Sequence, residues 1–135
     1  MPPVSSTPDR LAVFLHSGDY DRVHQGLSIA AAAAASGRPV QIYFFWWALE
    51  RLVQDRLDEP DLREDVADRF ERRQTPTLRQ LLEHVRSSGT CQVMACTGSL
   101  GLVADPDAVA KKVDRLVGWS TILKETAGVI DRFYL

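Results

Sequence analysis

An all-apolar run, Leu11–Leu15 (LAVFL), and a run rich in β-branched and aromatic residues, Val40–Phe45 (VQIYFF), bracket the segment Tyr20–Ala35, which ends in six consecutive alanines. A run without a polar position has no solvent face, so as a strand it must be covered on both sides. The segment between carries Val23, Leu27, Ala30, Ala31 and Ala34 at helical spacing. Alanine favours the helix and lets its axis come close to a sheet. Gly37 stands where a helix stop is expected and Pro39 follows it. Strand, helix and strand in that order commit the chain to a parallel α/β architecture.

The alternation continues downstream. Trp46–Leu57 reads as a helix with Leu49, Leu52, Val53 and Leu57 on one side. Thr77 begins another, in which Leu78, Leu81, Leu82 and Val85 follow the helical repeat and Ser87-Ser88-Gly89 closes it. Cys91–Ala95 is the expected third strand, and Cys96-Thr97-Gly98-Ser99 opens a helical segment. Asp105 caps a further helix with Pro106 at its first position. Leu116-Val117 reads as a short fourth strand, Gly118-Trp119-Ser120 turns into a helix carrying Ile122 and Leu123, and Gly128–Phe133 is the fifth strand. The expected fold is a three-layer α/β/α sandwich with a mostly parallel sheet of about five strands.

Between the second and third strands, Gln54–Gln74 breaks the composition: thirteen of its residues are charged, and Pro60 interrupts it. The charges are mixed in sign. The segment therefore reads as a solvated, partly helical excursion spanning about residues 54–76 of a single domain, 1–135.

Composition narrows the class. A chain of 135 residues with 45% apolar content can bury one core without disulfide or metal staples. Its net charge of −2 argues against a nucleic-acid backbone as partner. Met1–Pro8 has no basic start, and no apolar run approaches the ~20 residues that span a bilayer. The expectation is a cytoplasmic protein without membrane association.

In open α/β sheets, ligands bind beyond the carboxyl ends of the strands. That rule selects His16, Ser17 and Gly18 after the first strand, and Trp46 and Trp47 after the second. It selects Cys96, Thr97, Gly98 and Ser99 after the third, and Trp119 after the fourth. Cys96 is either a reactive thiolate favoured by the following helix or an inert buried thiol. Cys91 starts the same strand, about 16 Å away and on the opposite face, so a disulfide between them is not expected. His16 is either an acid/base group or a loop histidine bonded to local backbone. His24 and His84 are expected in solvent. Three histidines and two cysteines match no zinc pattern, and no metal or cofactor is expected. Trp46 and Trp47 cannot both enter one core, so one is expected to line a cleft or a subunit contact.

Four passages together resemble the DsrE/DsrF-like family of small sulfur-relay and peroxiredoxin-related proteins: LAVFLHSG at Leu11–Gly18, GLSIAAAAAASGRPVQIYFF at Gly26–Phe45, VMACTGSLGL at Val93–Leu102 and VGWSTIL at Val117–Leu123. The resemblance implies a parallel five-stranded fold, homo-oligomers such as trimers or hexamers, and a cysteine that carries sulfur as a persulfide between donor and acceptor proteins. The matching position is Cys96. Two function classes follow, a sulfur carrier or sulfurtransferase acting through Cys96 and a non-catalytic oligomeric module whose strand-end cleft holds a small ligand or partner. A flavodoxin-like flavin or nucleotide binder is a third, disfavoured because the chain has neither a phosphate loop nor the three-glycine fingerprint.

Overall fold

The computed structural model describes residues 9–135; Met1–Pro8, read above for targeting signals, lies outside them. Five strands, β1 (Leu11–Leu15), β2 (Val40–Phe44), β3 (Cys91–Cys96), β4 (Arg115–Val117) and β5 (Asp131–Tyr134), form one sheet in the order β4-β3-β2-β1-β5. Every neighbouring pair is parallel, with Leu11 opposite Val40, Ile42 opposite Val93 and Cys96 opposite Val117. Six α-helices connect them: α1 (Tyr20–Ala35), α2 (Trp46–Val53), α3 (Glu64–Arg72), α4 (Leu78–Ser87), α5 (Pro106–Ala110) and α6 (Trp119–Glu125). The result is an α/β sandwich.

Strand order dictates where the helices lie. The chain steps in one direction from β1 to β4, and right-handed crossovers place every helix of that walk on one face. Only the return from β4 to β5 crosses on the other face, and its one helix is α6. The two cores reflect this. On the first face Val13, Leu15, Ile42, Phe44 and Val93 pack with Leu27 of α1, Leu49 of α2, Leu82 of α4 and Val109 of α5. On the second, Phe14, Tyr43, Phe45, Met94 and Cys96 meet Ile122 of α6 and Val129. A fully buried side chain such as Leu27 stabilises the fold by about 1.5–3 kcal/mol. Gly26 lets α1 approach the sheet, since a Cβ there would collide with the Leu15 side chain.

The thin second face is aromatic. The Phe14 ring lies 5.2 Å from Tyr43, 5.6 Å from Tyr134 and 6.3 Å from both Phe45 and Trp119. Leu116, Trp119, Leu123, Ile130 and Tyr134 remain exposed, Ile130 by 76%. Towards the amino ends of the strands the same face turns polar. Tyr43 donates to Glu125 Oε1 at 3.1 Å, and Glu125 is paired with Arg115 at 2.6 Å. Burial, then the neighbouring Glu125 carboxylate, push the Tyr43 phenol well above its ordinary value, keeping it a neutral donor.

The element boundaries differ from the sequence reading in five places. The second strand stops at Phe44, and the third continues to Cys96. The helix after β2 ends at Val53, leaving Leu57 buried in a loop. Cys96–Ser99 opens no α-helix but a single 3-10 turn, Thr97–Ser99. The last strand begins at Asp131, because Gly128 takes a left-handed turn conformation (φ 81°) and Val129 is spent in the second core. Thr77 caps α4 with a reciprocal pair, its Oγ1 accepting from the Gln80 N–H and the Gln80 Oε1 from its own.

Candidate functional site

Because all strands are parallel, their carboxyl ends share one edge, and the strand order arranges its loops as Gly118-Trp119, Cys96–Ser99, Phe45–Trp47 and His16–Gly18. Adjacent loops touch. Gly118 lies against Thr97, where a Cβ would stand 3.3 Å from Oγ1. The Trp46 N–H donates to the Oγ of Ser99, itself buried, at 3.0 Å. Gly18 abuts Trp47 so closely that a Cβ would meet the tryptophan Cβ at 2.9 Å. Phe45 stacks on Trp119 at 5.2 Å, and Trp46 and Trp47 are 5.7 Å apart. Neither Trp46 (38% exposed) nor Trp47 (49%) enters the core.

Trp46 is strained. Its φ of 43° lies in the left-handed region, uncommon for any residue but glycine and more so for a bulky one. The turn from β2 into α2 is made at this residue. In an ordinary helix alanine is more stable than glycine by about 1 kcal/mol, whereas a left-handed position favours glycine by about 1–2 kcal/mol. Trp46→Gly is therefore expected to be more stable than Trp46→Ala. Thermal unfolding of the two variants measures the order directly, and alanine ahead of glycine would show that the strain is absent.

Cys96 is the last residue of β3 and only 4% exposed, on the second face beside Phe45, Met94 and Val117. Its cover is uneven. The next two residues, Thr97 and Gly98, are exposed, and a Cβ built at Gly98 would stand 3.6 Å from Sγ, so no side chain shields the sulfur there. The 3-10 turn that follows is too short to add the helix dipole expected from the sequence. Cys91 sits at the other end of the strand, packed against the first core. Burial pushes its thiol up to about 11, leaving it protonated at neutral pH. Both cysteines are free.

His16 is not beside Cys96. The register places Phe45, the residue after the intervening strand, between them, so the two backbones are roughly 10 Å apart with the buried phenylalanine in the gap. The His16 and Ser17 N–H groups both donate to the Leu135 carbonyl, at 2.8 and 3.2 Å, and Ser17 Oγ accepts from the Asp19 N–H. These bonds close the gap between β1 and β5, where the strand order reverses and a ligand crevice is the usual expectation.

Sequence reading missed Arg51. Only 7% exposed, it donates from Nε to the Gly18 carbonyl at 2.9 Å and from Nη1 to those of Arg56 and Glu59 at 2.6 and 2.8 Å. Its Nη2 lies 3.4 Å from Asp61, whose carboxylate also accepts the Tyr20 N–H. This one guanidinium ties the start of the charged excursion to the β1 loop. The available signal was its position three residues after Ala48, within the buried stripe of α2. The excursion beyond it forms α3, which has no fully buried residue, yet Phe70 packs edge-on against Tyr20 at 5.9 Å. His24, expected in solvent, is instead half-buried 5.5 Å from the Phe70 ring, with Nε2 3.0 Å from the Pro76 carbonyl. His84 is exposed, as read.

Among the described residues no three His, Cys, Asp or Glu side chains gather as a metal site, and no helix is long and apolar enough to cross a membrane. The sequence matches no family model and no curated protein.

Proposed function

We propose that the protein is a DsrE/DsrF-like sulfur carrier in which Cys96 holds sulfur as a persulfide. The observation that carries this reading is the position of Cys96. It ends an inner strand of the sheet at the carboxyl edge, with the exposed Gly98 leaving its Sγ without side-chain cover on one side. The resemblance of Val93–Leu102 to the family's cysteine-bearing strand end supports it. In the transfer, the Cys96 thiolate attacks the outer sulfur of a donor persulfide. A Cys96 Sγ–S bond forms, the donor's S–S bond breaks, and the donor leaves as a thiolate. An acceptor thiolate then repeats the displacement on the carried sulfur, releasing Cys96. The N–H groups of Thr97 and Gly98 are assigned to stabilise the thiolate. His16 is given no part, because Phe45 stands between the two positions.

Incubation of the protein with a persulfide donor should add about 32 Da, one sulfur atom, to Cys96 and not to Cys91. Cys96→Ser should abolish the gain. Wild-type protein that never takes up the mass would overturn the reading.

A second reading is favoured by the exposed side chains of Leu116, Trp119, Leu123, Ile130 and Tyr134 on the thinly covered face. It is a non-catalytic binding module whose second face is covered by another copy of the chain, a trimer or hexamer being the form the resemblance implies. Absence of sulfur uptake, together with a concentration-dependent mass in sedimentation, selects this reading over the first.

A further inference from the structure

A cavity among the described residues lies away from Cys96, on the opposite side of the sheet. It is an open groove of about 570 Å³ between the charged excursion, the start of α1 and the start of α4. That volume falls in the range of small-molecule sites. The excursion thus does more than carry solvated charge: anchored by Arg51 and Asp61, it forms one wall of a groove next to Tyr20.

The chemistry of the walls is one-sided. Tyr20, Leu62 and Phe70 supply apolar surface, and Asp58 and Glu71 supply carboxylates, while no lysine or arginine lines the cavity. Asp58 is engaged by Arg79, whose N–H donates to it at 3.0 Å. Glu71 pairs with no cation among the described residues, which leaves its charge for an occupant. The nearest buried cation, Arg51, stacks over the Tyr20 ring at 5.6 Å and is spent on backbone carbonyls. With the Tyr20 ring taken by Arg51, the half-exposed Phe70 ring beside an unpaired carboxylate attracts an ammonium group through both its quadrupole and direct charge. An anion of the same size would meet repulsion from Glu71. We propose that this cavity binds a small organic cation, an ammonium or amidinium group carried on an apolar body.

Phenethylammonium is the probe, with phenylpropionate and phenethyl alcohol as its anionic and neutral counterparts. In amide NMR titrations of the full chain, phenethylammonium should shift Phe70, Thr75, Thr77 and Gln80 saturably and bind about tenfold tighter than either counterpart. Glu71→Gln, at an exposed position that hydrogen-bonds only through its backbone, should fold normally and lose about five- to tenfold of that affinity. Equal binding of the three probes, shifts mapping elsewhere, no saturable shift, or an unchanged affinity in Glu71→Gln would each overturn the proposal. Cys96 belongs to the other face, so persulfide uptake and cation binding fail independently.

Discussion

Replacing Arg51 with leucine is expected to destabilise the protein by about 3–5 kcal/mol, a large share of the 5–15 kcal/mol typical of such domains. The ion pair with Asp61 contributes little of this, because the Asp61 side chain is 45% exposed and solvent screens the attraction. The cost comes from the carbonyls of Gly18, Arg56, Leu57 and Glu59, which all accept from this guanidinium. Buried acceptors left without a partner cost about 1–3 kcal/mol each before the loop relaxes. Arg51→Lys should recover only a small part, since an ammonium cannot match the planar fork that reaches carbonyls on both sides. Urea denaturation reports the loss as a lower midpoint at unchanged slope, and hydrogen exchange should quicken first across residues 56–61. A leucine variant within about 1 kcal/mol of wild type would mean that water replaces the guanidinium without penalty.

Phe14→Ala should be comparably damaging, at about 3–5 kcal/mol. Phe14 lies at the centre of the second face, 3% exposed, with four aromatic neighbours and the Arg132 guanidinium 5.7 Å over its ring. On the first face four helices could settle towards a void. Here, among the described residues, α6 alone covers the sheet, and the strands themselves are held by their ladders, so a cavity would persist. Near-ultraviolet circular dichroism should lose intensity along with stability, because Tyr43, Trp119 and Tyr134 lose the ring that fixes them. Phe14→Leu, which keeps most of the volume, should cost about 1–2 kcal/mol. An alanine variant with the leucine variant's stability would show that the face is already loose.

How far these features were legible differs by element. Leu11–Leu15 and Tyr20–Ala35 coincide with the observed strand and helix, because an all-apolar run and an alanine-rich helix closed by Gly37 leave few alternatives. The opposite placement of Cys91 and Cys96 follows from strand alternation alone. Phe45 was read into β2 because apolar character does not mark where a ladder ends; the left-handed turn at Trp46 does, and nothing in a tryptophan announces it. The helix after β2 was drawn to Leu57 because its spacing is helical, but Arg51 captures the Arg56, Leu57 and Glu59 carbonyls and bends the chain away. The edge itself was legible, since it needs only parallel strands. Which edge residues would be neighbours was not, because that depends on the order β4-β3-β2-β1-β5. The same order separates His16 from Cys96 and leaves one face under a single seven-residue helix.

The pairing of β5 with β1 also has a consequence for how the molecule comes into being. Of the five strands, the first in chain order is completed on that side only by the fifth, since Leu11–Phe14 lie beside Asp131–Tyr134. Until then the nascent chain carries an open backbone edge, a template for pairing with a neighbouring copy. Closure across that separation is slow, because the loop entropy must be lost before the contact forms. Asp131–Tyr134 therefore act as a latch, and until they dock the sheet presents β1 as an unguarded edge.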